Sequence, residues 1–388
     1  VLSLLSHTFM WGVGAPHTSA LTVDAASTPG MQFFLGRIVD DPGAGYYPLI
    51  ALFRLSPITT VFLPIGVAAV LLGRKGGYAQ RVPRLVVGLG LAYIVFFVLM
   101  LTFGAKKLES YILPVFPMLD IVAGVGLAAS IAWLVGVWQR AGAQPISPFV
   151  SHALAVAGIL AVSFLWLRLQ PYYSTYFNTL AGGAELASKI FVFGGGEGLD
   201  LAADYLNQKP GAENLVVSSA YPNHVFRYHF EGEAWPLSQG SWNGLWLLGD
   251  YVVSYFSYAQ RDLPSAEVVS FLERLEPEYV ARINGVDYAR VYEVPSLVSR
   301  DMPPISHPAR VNLDGTVRFL GYDLEADRVT SGDEIDLTLY WQAASPLETD
   351  YSVFLRLING AYDVWGSQDG PPVGGAMPTR VWQDGMVV

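Results

Sequence analysis

Two adjacent lysines, Lys106 and Lys107, follow directly on an apolar stretch and offer the clearest chemistry in the sequence. They belong to segment 104–117, which reads GAKKLESYILPVFP and includes Tyr111. Ammonium groups at the end of an apolar segment are well placed to bind the phosphate of a lipid head group. Lysines that only extend toward ordinary anionic lipids produce the same pattern, so charge alone leaves both interpretations open.

Other residues near apolar stretches could add to such a site. Arg54 is a further cation, although an interfacial anchor would have the same residue type, and His17 fits an ordinary loop histidine more simply. Asp40 and Asp41 are acidic, but the Pro42-Gly43 that follows favours a turn over a catalytic base. None of these residues defines a reaction by itself.

Several patterns have structural interpretations that compete with functional ones. Asp120 lies inside an apolar stretch, where a carboxylate is costly and often functional, but a helix–helix hydrogen bond explains it equally. The run 194–198, GGGEG, lacks the spacing and the lysine of a phosphate loop, which favours a turn before a helix. His224 and His229 do not share a helix face, and no metal site is predicted. Three tryptophans could form a stacking platform for sugars, although core packing is favoured for the first: Trp341, Trp365 and Trp382.

Apolar stretches dominate the first 171 residues. A helix that crosses a bilayer needs roughly 20 apolar residues. Four stretches reach about this length: 46–72, 85–103, 111–137 and 149–167. The short connections after the first and third are basic, which places them in the cytoplasm and places the outer loop 12–45 and everything after residue 171 outside. The sequence therefore predicts a multi-span α-helical membrane domain over residues 1–171, in the plasma membrane.

The remainder of the chain has the patterns of soluble structure. Residues 172–295 alternate helix and strand signals, which predicts a small extracytoplasmic α/β domain. Its elements include an amphipathic helix over 198–207, a helix over 265–275 that Pro264 opens, and strands 278–284 and 288–294 joined by a hairpin turn at Gly285-Val286-Asp287. Residues 296–309 form a proline-containing linker. Period-two alternation after residue 310 predicts an immunoglobulin-like β-sandwich over 310–388. A complete sandwich of this type takes roughly 100 residues, so this one is expected to be truncated.

Charge separates these two parts of the chain. Residues 1–171 contain 10 Lys+Arg and 5 Asp+Glu, net +5, whereas residues 172–388 contain 13 and 28, net −15. The acidic part argues against nucleic acid as a partner, because phosphate backbones require clustered cations. The absence of cysteine excludes disulfides, thiolate-bound zinc and thiol catalysis.

The motif Lys-Lys-x-x-x-Tyr-x-Leu-Pro-x-x-Pro at the entrance of an apolar stretch resembles the dolichyl-phosphate-mannose–protein mannosyltransferase family, of the GT-C class of membrane glycosyltransferases. Other segments agree in order and spacing: QFFLGR at 32–37, DPG and YYP within 41–48, RLSPIT at 54–59, YFN at 176–178 and GEGLD at 196–200. The resemblance covers most of residues 1–300. It departs at Ser110, where the family more often has arginine, which leaves the phosphate clamp one cation short.

This resemblance implies an enzyme that moves a hexose or pentose from a polyprenyl-phosphate carrier to a protein, lipid or glycan acceptor at the extracytoplasmic face. Lys106, Lys107 and Tyr111 would bind the donor phosphate, with Arg54 and His17 as weaker candidates. The family's general base lies in the first outer loop and is expected upstream of the first residue, so residues 1–388 are expected to be inactive alone. A divalent cation stays open as a cofactor.

Two other functions remain open at this point. A non-catalytic membrane protein could display the extracytoplasmic domains for binding. A transporter would need paired charges inside the spans, and only Asp120 and His152 offer them. The expected partners are a lipid-linked sugar donor, its acceptor and membrane lipids.

Overall fold

The computed structural model describes residues 32–72, 84–104, 107–141, 167–220, 225–237, 245–295, 297–299, 301–325 and 334–388, and single positions 156, 164, 330 and 332. The chain divides into two compact units. The first unit is Val1–Gly194 with Asn284–Val286, and the second is Gly195–Ile283 with Asp287–Val388.

The first unit is mainly helical. A short antiparallel hairpin opens it, with strands β1 (Gln32–Phe34) and β2 (Arg37–Val39). The helices that follow are α1 (Tyr46–Arg54), α2 (Pro57–Leu72), α3 (Arg84–Thr102), α4 (Phe116–Arg140) and α5 (Gly183–Ser188). Short 3₁₀ helices precede α4 and α5, at Glu109–Val115, Tyr173–Thr175 and Thr179–Ala181. Aromatic rings of Phe34, Tyr46, Phe53 and Phe191 meet edge to face or tilted and join the hairpin to α1.

A sharp bend of 118° separates α1 from α2. Leu55 is extended at the bend, with ψ 146°. Pro57 then begins α2, and a residue before proline is disfavoured in the helical region, so the chain cannot continue as one helix. The Ser56 hydroxyl accepts a hydrogen bond from the Thr59 amide (3.0 Å) and caps the new helix.

Helices α2 and α4 pack against each other through glycine. A Cβ atom at Gly66 would lie 2.0 Å from the Val122 carbonyl oxygen, and one at Gly126 would lie 2.0 Å from the Phe62 carbonyl oxygen. Both distances are far below van der Waals contact, so only glycine fits at these two positions. Small residues at such crossings are typical of helices that pack in or near membranes.

The prediction of a multi-span α-helical membrane domain is wrong. Within the described residues, one helical stretch, Glu109–Arg140, is long and apolar enough to cross a membrane. The bent pair Tyr46–Arg54 and Pro57–Leu71 makes a second only if it counts as a single span, and the part of α3 whose side chains the structure describes, Val87–Thr102, is a shorter apolar stretch. The predicted span 149–167 lies almost entirely outside the described residues. Hydropathy counts apolar residues, but it does not register the break that the Ser56-Pro57 step introduces.

The long apolar stretch indicates an association with a membrane. Glu109–Arg140 has a mean hydropathy of 2.0 in its most apolar window, and only 22% of that window is buried within the chain. A core helix of a soluble protein would bury most of its apolar surface. Here that surface faces outward, with Ile121, Ile131, Trp133 and Trp138 among the exposed side chains.

The second unit begins with a mixed sheet of five strands in the order β4-β3-β5-β7-β6. The strands are β3 (Val216–Ser219), β4 (Glu233–Pro236), β5 (Tyr251–Tyr255), β6 (Tyr279–Ile283) and β7 (Val286–Glu293). Strand β3 is parallel to both β4 and β5, whereas β5 pairs antiparallel with β7. The helices are α6 (Leu199–Asn207), α7 (Arg227–His229), α8 (Phe256–Ala259) and α9 (Ala266–Glu273), with 3₁₀ helices at Ala212–Asn214 and Leu245–Leu248.

Local patterns in this unit are confirmed. The predicted amphipathic helix is α6, and its four apolar residues Leu199, Ala202, Ala203 and Leu206 are all buried. The predicted helix near residue 265 is α9, although Ser265 caps it through a hydrogen bond from the Val268 amide, rather than Pro264 opening it. The predicted hairpin is β6–β7, although its turn is Asn284-Gly285 rather than the predicted Gly285-Val286-Asp287.

A β-rich region follows. Strands β8 (His307–Leu313), β9 (Val317–Leu324) and β10 (Leu337–Ala343) form a three-stranded antiparallel sheet, whereas β11 (Val353–Ile358) and β12 (Val364–Gly370) pair as a separate two-stranded ribbon. 3₁₀ helices lie at Pro372–Gly375 and Thr379–Val381. The predicted immunoglobulin-like sandwich is therefore wrong for the described residues. Alternation identifies which residues share a strand face, but it does not determine which strands share a sheet.

Candidate functional site

An ion pair between Lys107 and Asp41 is the centre of the polar cluster in the first unit. The Lys107 ammonium nitrogen lies 2.6 Å from the Asp41 carboxylate oxygen, and Lys107 is 3% exposed whereas Asp41 is 65% exposed. Asp41 also accepts a hydrogen bond from the Gly43 amide (2.8 Å), so the turn at Pro42-Gly43 orients the carboxylate. The buried cation thus lies directly beneath a solvent-facing acid.

The Lys107 hydrogen bond, supported by the Gly43 amide, holds the pKa of the Asp41 carboxyl below its usual range. Because the folded-state pKa is depressed, the pair stabilises the protein fully above the unfolded pKa of about 3.9, and this is lost as the pH falls through the folded value.

We expect Lys107→Met to raise the pKa of Asp41, because it removes the largest cause of the depression. A carboxyl ¹³C titration by NMR would measure the shift, with Asp41→Asn to assign the signal. Arg140→Met, which removes a cation from the far end of α4, is the control and should leave this pKa unchanged. An unaltered Asp41 titration in Lys107→Met would contradict the ion pair.

A second ion pair connects Arg54 to Glu109. The Arg54 guanidinium lies 2.8 Å from the Glu109 carboxylate and also donates to the carbonyl oxygens of Ser174 (2.7 Å) and Tyr176 (2.6 Å). Its carbon lies 3.9 Å from the centre of the Phe177 ring. These contacts join the end of α1 to the start of the long apolar stretch and to segment 174–178.

Segment 174–178 also satisfies backbone groups that the bend after α1 leaves free. The buried Asn178 side chain donates to the Leu52 carbonyl (3.0 Å) and the Thr60 hydroxyl (2.7 Å), and its amide donates to the Phe53 carbonyl (2.7 Å). The last carbonyls of a helix have no partner within it. Asn178 therefore caps α1 from 118 or more residues away.

The cluster lies at the amino end of the long apolar stretch. Glu109 is in its first turn, and Tyr111, two residues further, is exposed. The amino end of a helix attracts negative charge, because its amides point outward without partners. Lys107 and Arg54 each already pair with a carboxylate, so the features that favour an anion here are this helix end and the exposed Tyr111 phenol.

The sequence-predicted residues are only partly brought together. Lys107, Tyr111 and Arg54 lie within or beside the cluster, whereas Lys106 and His17 lie outside the described residues. Asp120 accepts a hydrogen bond from the Thr59 hydroxyl (2.8 Å), which confirms the helix–helix interpretation.

Three residues of this cluster were not predicted as site residues from the sequence. Asp41 was interpreted as a turn residue, and the turn is real, but the carboxylate also pairs with a lysine 66 positions away. Glu109 had no signal beyond its place between Lys107 and Tyr111. Asn178 belongs to the YFN segment at 176–178, which is part of the family resemblance, and no other sequence pattern indicated this residue.

The remaining sequence patterns, the glycine run and the three tryptophans, have structural explanations. In the glycine run, the Gly195 amide donates to the Glu197 carboxylate (2.6 Å) within a turn that leads into α6, as predicted. The three tryptophans do not form one platform, because Trp382 is buried and Trp341 packs against the core, whereas Trp365 is 74% exposed. Across the described part of the chain, no group of three or more His, Asp or Glu side chains could hold a metal ion.

Comparison of the chain with protein-family models, with curated proteins and with solved structures finds no match.

Proposed function

We propose that this chain belongs to a membrane-associated glycosyltransferase that takes a sugar from a polyprenyl-phosphate-linked donor and transfers it to a protein, lipid or glycan acceptor at the extracytoplasmic face. The observation that carries the proposal is the buried Lys107, held by Asp41 at the amino end of the long apolar stretch. The phosphate of a lipid-linked donor would lie at this end of the apolar stretch, and the polyprenyl tail would lie along the apolar surface of the stretch.

Sugar transfer from such a donor produces negative charge on the leaving group, and the site must stabilise this charge. The bond between the sugar carbon C1 and the phosphate oxygen breaks, the acceptor hydroxyl oxygen forms the new bond to C1, and the hydroxyl proton passes to a base. Negative charge then collects on the departing polyprenyl phosphate. Lys107 stabilises that charge and Tyr111 donates a hydrogen bond to it. The base is not assigned to any residue of this chain.

Arg54 has a positioning role in this scheme. Its guanidinium donates to Glu109 and to two carbonyl groups, so it orients the segment that carries Lys107 and Tyr111. Asp41 orients the Lys107 ammonium group in the same way.

Donor binding provides the test, because it does not require the base. We expect the purified chain in phospholipid nanodiscs to bind radiolabelled polyprenyl-phosphate-mannose, and polyprenyl phosphate to compete for this binding where polyprenol does not. Lys107→Met should weaken binding about tenfold or more, which corresponds to about 1.4 kcal/mol. Arg140→Met removes a cation at the opposite end of the long apolar stretch and serves as the matched control.

Two outcomes would count against the proposal: competition by polyprenol equal to that by polyprenyl phosphate, or unchanged binding in Lys107→Met. Either would favour the alternative of a membrane protein that displays its second unit for binding. If the donor binds, release of polyprenyl phosphate in the presence of acceptor peptides or glycans measures transfer itself.

A further inference from the structure

The hydroxyl group of Tyr47 is buried, and its proton has no acceptor. Tyr47 is the second residue of α1 and is completely buried, and its ring meets the Tyr46 ring edge to face at 5.1 Å. Among the residues that the structure describes, no group forms a hydrogen bond with this hydroxyl. Folded proteins rarely bury a hydroxyl in this way, because the lost hydrogen bonds to water are costly, so such a group generally marks a bound water, ion or ligand.

This hydroxyl lies beside the polar cluster of the first unit. Its oxygen faces the Leu108 backbone amide, and the Tyr111 phenol is near enough to interact with it electrostatically. Leu108 directly follows Lys107 and precedes Glu109, the first residue of the long apolar stretch. The unsatisfied donor therefore lies against the short segment that contains both residues of the proposed phosphate site.

The turn before α1 fixes the position of Tyr47. Asp41 in this turn pairs with Lys107 and accepts a hydrogen bond from the Gly43 amide. The Gly43 carbonyl in turn accepts from the Tyr46 amide (3.4 Å), and α1 begins there. Tyr47 is therefore held by the same turn that pairs with Lys107, and its buried ring is already in place before any ligand arrives. A donor fixed in this way loses little conformational entropy on binding.

The chemistry of the hydroxyl limits what can occupy the place beside it. A phenol whose oxygen already faces an amide has its proton left to donate, so the missing partner is an acceptor and not a cation. Among acceptors, a charged oxygen forms the stronger hydrogen bond. We infer that Tyr47 is a further binding residue for the lipid-linked donor, with its hydroxyl donating a hydrogen bond to a phosphate oxygen beside Lys107 and Tyr111. This role rests on the proposed function.

Entry of the phosphate requires a side chain to move. Tyr47 and Lys107 are buried, whereas Tyr111 is 40% exposed and the Asp41 side chain is 65% exposed. Exposed side chains change rotamer readily, so rotation of Tyr111, the exposed neighbour of the Tyr47 hydroxyl, opens the path. The bound phosphate then supplies the acceptor that the free protein lacks.

The variant Tyr47→Phe tests this role, because it removes the hydroxyl and leaves the ring. Radiolabelled polyprenyl phosphate is titrated onto the full chain in phospholipid nanodiscs. We expect Tyr47→Phe to weaken binding about tenfold, the effect of one hydrogen bond to a charged group. Because the hydroxyl has no acceptor in the free protein, the unfolding midpoint of Tyr47→Phe should equal or exceed that of wild type. Tyr93→Phe, which removes an exposed phenol hydroxyl from α3, should bind as wild type.

Two results would overturn the role of Tyr47 and leave the proposed function intact. Wild-type binding by Tyr47→Phe, with weakened binding by Lys107→Met, would assign the buried hydroxyl to a trapped water. A lower unfolding midpoint in Tyr47→Phe would show that the hydroxyl has a partner within the protein and a structural role. If wild type does not bind polyprenyl phosphate, or Lys107→Met binds it unchanged, the proposed function fails and the role of Tyr47 fails with it.

Discussion

Replacing Gly126 by alanine is expected to disrupt the packing of α2 on α4 and to cost about 3 kcal/mol or more, near the upper end for single substitutions. The new methyl group would lie 2.0 Å from the Phe62 carbonyl oxygen and 2.6 Å from the Gly66 amide nitrogen. Both are backbone atoms, so no side chain can rotate away, and the two helices must separate. Thermal unfolding followed by circular dichroism, in one detergent for all variants, measures the loss.

Gly124 and Gly136 supply the controls on the same helix. A Cβ atom at either position meets nothing within 4 Å. Alanine there should leave the midpoint unchanged or raise it, because alanine has a higher helix propensity than glycine by about 1 kcal/mol. Equal midpoints for Gly126→Ala and Gly124→Ala would show that the close approach of the two helices does not exist in solution.

Replacing Asn178 by leucine is expected to destabilise the first unit by about 2–4 kcal/mol. Leucine has a similar size, so the effect comes from hydrogen bonds rather than from a cavity. The substitution removes the partners of the Leu52 carbonyl, the Thr60 hydroxyl and the Leu180 amide. Asn178 is completely buried, so water cannot replace the amide without local opening.

Hydrogen exchange separates this effect from a general loss of stability. Amides of segment 176–183 should lose protection in Asn178→Leu, because the segment is tied to the end of α1 through Asn178. Asn312→Leu alters an exposed turn asparagine that accepts one amide hydrogen bond and should leave these amides unchanged. Full retention of protection in Asn178→Leu would mean that the cap is not needed to hold the bend.

Local structure was largely predictable from the sequence. The helix α6 follows from four small or apolar residues at helical spacing, and the β6–β7 hairpin follows from Gly285-Val286-Asp287 between two strand-like segments. In both cases the information lies within a few residues of the element. The β-rich character of the region after residue 310 was predictable for the same reason, although β8 begins at His307, inside the predicted linker.

Long-range features were not predictable in this way. Nothing near Gly66 or Gly126 distinguishes them from Gly124 and Gly136, because the atoms that exclude a side chain belong to a helix about 60 residues away. The number of spans was overestimated because apolar content does not register the bend before Pro57. The sandwich was overestimated because alternation carries no information on which strands pair.

The sequence by itself determined the acidic second part of the chain and the apolar stretch predicted over 111–137, and it named Lys107 as a candidate binding residue. Only the tertiary structure decided that Lys107 pairs with Asp41, that Arg54 is bound to Glu109 and two carbonyls, and that Trp365 alone of three tryptophans is exposed. The physical reason is the separation along the chain over which each effect acts. Hydropathy and turn preferences act between near neighbours, whereas an ion pair or a buried ring depends on which distant segments the fold brings into contact.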